Sequence, residues 1–228
     1  MKLIKFIPNL FTLGNLSLGI LGIGGLLTGL IAIEQVSFMI ILAAVLDFFD
    51  GFLAKALKAQ SEIGAQLDSL ADLVTFGVLP GFIYWHLTPN IELNWLILLV
   101  PLCSAWRLAK FNVDTEQSES FKGISTTAHG IFVATIPQFI SAPSTFIDQF
   151  LSTELHLMVM SVLFSFLMIS NTRMISLKFR SLSFRTNWDK YLLLLTALIS
   201  ILILGWSASP FILIIYLALS LYNHFNSK

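Results

Sequence analysis

Five stretches of this chain are bracketed by charged residues and contain none: Lys5 to Glu34, Asp72 to Glu92, Lys122 to Asp148, Glu154 to Arg173 and Lys190 to Lys228. A helix that crosses the hydrocarbon of a bilayer needs about 20 mostly apolar residues, and each of the first four stretches supplies one such length. The fifth is long enough for two, with Gly205, Ser207, Ser209 and Pro210 as turn residues between them. Two more spans, 36–57 and 93–111, carry charge because their helices run on past the apolar part. The expected fold is therefore all-α, a polytopic membrane helix bundle of about eight transmembrane helices. The connectors at 88–92 and 148–154 leave no room for a separate soluble domain, so residues 1–228 form one membrane domain. Composition agrees: 56% of the 228 residues are hydrophobic and 11% charged, with a mean hydropathy of +0.84.

Charge placement orients the bundle. Thirteen basic residues balance thirteen acidic ones, so net charge gives no sign of a nucleic-acid partner, and none is expected. With the N-terminus inside, an eight-helix count puts all thirteen basic residues, from Lys2 through Lys55, Lys58 and the run Arg173, Lys178, Arg180, Arg185 and Lys190 to Lys228, on the cytoplasmic side. The outer connectors keep only Glu34, Glu92, Asp148 and Glu154 as charges. That asymmetry follows the positive-inside rule and places both termini in the cytoplasm. Residues 1–9, with Lys2 and Lys5 among apolar side chains, can form an interfacial helix or a short lead-in to the first span. The first apolar run is longer than the core of a signal peptide and is read as a retained span. Cys103 has no partner for a disulfide and reads as a small buried hydrophobe.

The chemistry is concentrated where the second span ends and the third begins. Asp47 and Asp50 are three residues apart, and Asp68 and Asp72 four, so each pair shares a helical face. Two helices joined by a tight connection can aim all four carboxylates at one point. Four like charges in or near a bilayer repel and are costly to desolvate, so they call for a cation or a water-filled cavity. Hard oxygen ligands select Mg²⁺, Mn²⁺ or Ca²⁺. Gly51, Ala54 and Gly64 lie in the same region. Small residues there ordinarily mean close helix packing, but beside carboxylates they also clear room for a bulky ligand.

Read as one string, Asp47, Asp50, Gly51, Ala54, Lys55, Gly64, Asp68 and Asp72 resembles the motif of the CDP-alcohol phosphotransferase family. All four aspartates, both glycines and the alanine fall at the family's spacing. Lys55 stands where the family usually has arginine, which keeps the cation and loses its bidentate fork. Three further stretches are similar to those of membrane-type phosphatidylserine synthases: residues 8–15, the segment DSLADLVTFGVLP from Asp68 to Pro80, and WRLAKFNV from Trp106 to Val113 followed by Phe121, Lys122, Gly123 and Ile124. Lys110 replaces the second arginine usual in that stretch.

The resemblance implies transfer of a phosphatidyl group from CDP-diacylglycerol to an alcohol, with L-serine the expected acceptor and CMP released. It implies Asp47, Asp50 and Asp68 as ligands of Mg²⁺ or Mn²⁺, with Ca²⁺ able to stand in their place. Asp72 would be the general base and a possible further metal contact. Gly51, Ala54, Lys55 and Gly64 would border the CDP-lipid, and a homodimer in the cell inner membrane, active site facing the cytoplasm, is expected. Asn15 and Thr12 can hydrogen-bond nucleotide or phosphate. Arg107, Lys110 and Lys122 can bind the acceptor carboxylate or lipid phosphates, although basic residues on that side also simply meet anionic headgroups. His129, just after the Lys122 stretch, is weighed as a neighbour of the site and not assigned to it. The alternatives are the same chemistry with glycerol phosphate, inositol phosphate or choline as acceptor, and a divalent-cation transporter. Against transport, the aspartates lie near helix ends and no inverted repeat is visible.

Overall fold

The computed structural model describes residues 6–113, 121–141, 149–150, 152–175, 187–205 and 208–226. Lys2 and Lys5 of the expected interfacial segment, Asp148, Lys178, Arg180, Arg185, Ser207 and Lys228 lie outside the described residues. Within them the chain forms eight helices: α1 (Ile7–Thr28), α2 (Ile33–Ala56), α3 (Glu62–Leu87), α4 (Asn94–Val113), α5 (Thr126–Ser141), α6 (Glu154–Ile169), α7 (Trp188–Leu204) and α8 (Ala208–Asn226). Each of the eight apolar spans read from the sequence is helical. The first four of them are long and apolar enough to cross a membrane. The helical class carries one small departure, a two-residue antiparallel ladder between β1 (Phe121–Lys122) and β2 (Arg173–Met174).

The inward face of α1 is small and polar, not apolar. Thr12, Asn15, Gly19, Gly22 and Gly25 are buried, while Leu21 and Leu27 point outward at 57% and 68% exposure. In lipid the outward face meets a medium as apolar as leucine, so helix contacts are made by small residues that let backbones approach. A Cβ on Gly19 would overlap the Thr75 hydroxyl, and one on Gly22 would sit 2.8 Å from Leu79 Cδ2. These glycines therefore set how closely α1 lies on α3. Gly29, at φ +67°, ends α1 in the left-handed conformation that a side chain would strain.

Sequence alone starts the third span near Asp68. In the structure α3 begins a turn and a half earlier, because Ser61 caps it by accepting the Gly64 N–H at 3.0 Å. Immediately after Asp72 the helix widens into a π turn, Leu73–Val78, closed by the Leu79 N–H on the Val74 carbonyl. Pro80 supplies a cause: it has no N–H to give the Phe76 carbonyl, and its ring crowds that carbonyl. The same helix forms the middle of the core. Phe76, Leu79, Ile83 and Tyr84 are fully buried against Val36 and Ile40 of α2, Val133 and Ile136 of α5, and Leu157 of α6. α3 is the most buried of the four candidate spans.

The chain between α4 and α5 is pinned to the end of α6. Gly123 N–H donates to the Thr172 carbonyl at 2.9 Å and Ile124 N–H to the Leu167 carbonyl at 3.2 Å. Gly123 sits at φ +70°, where a Cβ would also collide with the Met168 carbonyl. Both demands are met by glycine alone.

Candidate active site

α2 and α3 bring three carboxylates together. Ligand oxygens of Asp47, Asp50 and Asp68 all lie within 4.8 Å of one another. Asp50 is buried, and Asp47 and Asp68 are half-buried. Asp72, one turn along α3 from Asp68, stands outside this group of three but in Coulombic range of every member. At an effective dielectric of about 20, two unit charges 4.8 Å apart repel by roughly 3 kcal/mol, so three ionised carboxylates this close call for compensating donors or a cation.

α1 supplies those dipoles. The Thr12 hydroxyl lies 2.6 Å from Asp50 Oδ2, where it donates, and 3.2 Å from the Pro8 carbonyl. The Asn15 amide donates to Asp72 Oδ1 at 3.5 Å, a long and weak bond. Asn15 is itself fixed through its backbone carbonyl, which accepts from the Thr75 hydroxyl at 3.1 Å inside the π turn. The described contacts bring no ammonium or guanidinium to Asp47, Asp50 or Asp68, and Asp68 Oδ1 is buried without a hydrogen-bond partner. An orphaned carboxylate oxygen within a cluster of three fits a divalent cation, which these residues would hold through oxygen atoms alone.

Of the small residues in the motif, Gly51 and Gly64 differ. A Cβ on Gly51 would meet nothing within 4 Å, so no packing demands glycine there and the backbone next to Asp50 stays open to a ligand. A Cβ on Gly64 would lie 3.0 Å from Ser61 Oγ and 3.2 Å from Asn9 Oδ1, so its size serves the cap of α3. Ala54 is half-buried and Lys55 exposed.

The three basic residues proposed from sequence are separated by the fold. Arg107, on α4, is half-buried, lies in Coulombic range of Asp72, and keeps Nε buried without a partner. Lys110 and Lys122 are exposed, and no described hydrogen bond joins either to the aspartates. His129 is fully buried between the rings of Tyr84, 6.0 Å away, and Phe164, 5.3 Å away, with no described bond to the aspartates. His156 stacks on Phe150 at 3.7 Å.

Three contributors were not read from the sequence. Thr75 braces Asn15. Asn112 closes the start of α3 onto α4, its amide donating to Ser69 Oγ at 3.0 Å and to Gln66 Oε1 at 3.4 Å. Tyr216, on α8, comes within Coulombic range of Arg107. Thr75 and Asn112 lie inside the matching stretches DSLADLVTFGVLP and WRLAKFNV, which was a usable signal; Tyr216 had none.

Residues 5–167 match the sequence profile of the CDP-alcohol phosphatidyltransferase family. The chain is 37% identical over 124 residues to the CDP-diacylglycerol-serine O-phosphatidyltransferase of Bacillus subtilis, covering 53% of this chain and 68% of that one. It is 32% identical over 140 residues to the enzyme of the same name from Methanocaldococcus jannaschii, covering 60% and 66%. It is 30% identical over 171 residues to that of Helicobacter pylori, covering 73% and 70%. The convergent aspartates, the profile match over most of the chain and these relatives agree: the chain belongs to the CDP-alcohol phosphatidyltransferase family.

Proposed function

We propose that this enzyme transfers the phosphatidyl group of CDP-diacylglycerol to the hydroxyl of L-serine, giving phosphatidylserine and CMP. The observation that carries the reading is the convergence of Asp47, Asp50 and Asp68 with Asp72 standing just outside their cluster. Asp47, Asp50 and Asp68 would hold Mg²⁺ or Mn²⁺, which when bound neutralises the diphosphate and eases departure of CMP. Asp72, free of that cluster and tethered only by the 3.5 Å bond from Asn15, is the group left to accept a proton. Its carboxylate takes the serine hydroxyl proton as the oxygen attacks the lipid-side phosphorus, since an alcohol is a poor nucleophile at neutral pH. The open backbone at Gly51 gives the nucleotide a place beside Asp50. Thr12 orients the Asp50 carboxylate through its hydroxyl.

The names of the relatives support serine as acceptor. The same reading takes all eight helices across the bilayer of the inner membrane, with both termini and the aspartates on the cytoplasmic side and the enzyme working as a homodimer. The test uses the full chain in detergent micelles with CDP-diacylglycerol, Mn²⁺ and labelled serine. Label entering lipid with release of CMP is expected. Incorporation from glycerol phosphate, inositol phosphate or choline and none from serine would overturn the acceptor, and metal flux across reconstituted vesicles by protein that forms no lipid would overturn the enzyme.

A further inference from the structure

We infer that Asn112 is a positioning residue for the metal site: from the end of α4 it fixes the turn of α3 that carries Asp68. The inference rests on the reading of Asp47, Asp50 and Asp68 as ligands of a divalent cation. The part of α3 that bears Asp68 and Asp72 has little packing to hold it. Between Glu62 and Asp72 Ala71 alone is buried, and Ile63 and Leu70 stand 77% and 58% exposed. From Phe76 onward the same helix is locked in the core. A stretch with so few buried apolar contacts belongs to the less stable parts of a fold, and hydrogen bonds decide where it sits. Asp50 is oriented by the Thr12 hydroxyl, whereas no hydroxyl or amide donor is described on Asp68 and its Oδ1 has no partner. The Asp68 carboxylate therefore goes where its helix goes.

Asn112, in the last turn of α4, grips that helix at two points. Its amide donates to Ser69 Oγ at 3.0 Å and to Gln66 Oε1 at 3.4 Å, and the Ser69 hydroxyl returns a bond to Asn112 Oδ1 at 3.1 Å. Ser69 Oγ also lies 3.2 Å from the Ala65 carbonyl, but a hydroxyl has one proton, and the reciprocal pair with Asn112 offers the nearer acceptor. Gln66 and Ser69 are three residues apart and so share a face of α3. A single bond would let the helix turn about it. Two grips one turn apart resist both rotation and sliding, and Asp68 lies between them in the chain. Exposed bonds of this kind are individually weak, so the clip governs where Asp68 sits more than whether the protein folds.

The experiment titrates Mn²⁺ by calorimetry into the full chain in micelles, comparing the parent with Asn112→Leu, which keeps the size and removes the amide, with Ser69→Ala, and with the two combined. Groups that orient a metal ligand typically matter by 10- to 100-fold in affinity, and Asn112, acting through the helix, should stand at the low end, about tenfold. Ser69→Ala should cost less, since the Gln66 bond remains. The double variant should cost no more than Asn112→Leu alone, because both changes break one clip. Asn90→Leu is the control: it removes the 2.7 Å bond to Glu154, an exposed side-chain bond past the far end of α3, and should leave Mn²⁺ affinity at the parent's value. At saturating Mn²⁺ the KM for serine of Asn112→Leu should match the parent's. An unmoved Mn²⁺ affinity in Asn112→Leu, or an equal loss in Asn90→Leu, would overturn the positioning role. So would a raised KM for serine with Ser69→Ala silent, which would make Asn112 a substrate contact instead. A parent chain that binds no Mn²⁺ would overturn the metal reading itself, and the role of Asn112 with it.

Discussion

Asp50 has 5% of its surface exposed and a hydroxyl 2.6 Å from one oxygen, so its orientation is set before any ligand arrives. Thr12→Val removes that hydroxyl with little change of shape. Partners behind a metal ligand typically account for 10- to 100-fold in metal affinity, so calorimetry should show Mn²⁺ binding weakened by about tenfold. An unchanged affinity would mean the Thr12 bond is incidental. Asp72→Asn divides the roles differently. It keeps size and removes the base, so kcat should fall by about 100-fold or more while Mn²⁺ affinity stays within a few fold. Equal losses of both would move Asp72 into the ligand set.

At the scale of elements, the site depends on how closely α1 lies on α3. Gly19 and Gly24 make a matched pair: a methyl on Gly19 would overlap Thr75, whereas one on Gly24 meets nothing within 4 Å. Gly19→Ala should therefore separate the two helices, at about 1–3 kcal/mol, and loosen Asn15 from Asp72. The expected result is a lower melting midpoint in detergent together with lower activity, with Gly24→Ala close to parent in both. The reverse order would contradict the packing described. Sequence reading captured the aspartates because their spacing is a local property of helices, and the motif adds specific neighbours. It could not capture the π turn after Asp72, which arises where Pro80 meets the hydrogen-bond ladder four residues back. Nor could it see Thr75 supporting Asn15, sixty positions away.

At the scale of the whole molecule, the order of the eight helices among the described residues was legible, because charge-free intervals mark six of them and apolar runs with charged ends mark the other two. Which basic residues reach the site was not legible. The positive-inside count treats Arg107, Lys110 and Lys122 alike, but of the three only Arg107 is half-buried, with Nε enclosed, while the two lysines are exposed. The outward faces of the four candidate spans remain apolar, with Leu27 at 68% and Leu102 at 63% exposure, as lipid contact requires. The proposed orientation has a direct check. Single cysteines at Lys58 and Asn90, in a background with Cys103 replaced by serine, should react with a membrane-impermeant thiol reagent from opposite sides of sealed vesicles. Labelling of both from one side would contradict it.

The most direct measurement is transfer itself, by the full chain in micelles with CDP-diacylglycerol and labelled serine, with divalent metal first removed by chelation and then restored as Mn²⁺. The account predicts no transfer after chelation, recovery with Mn²⁺, and one CMP released for each phosphatidylserine formed. Transfer that persists without divalent metal, or CMP release with no label in lipid, would contradict it.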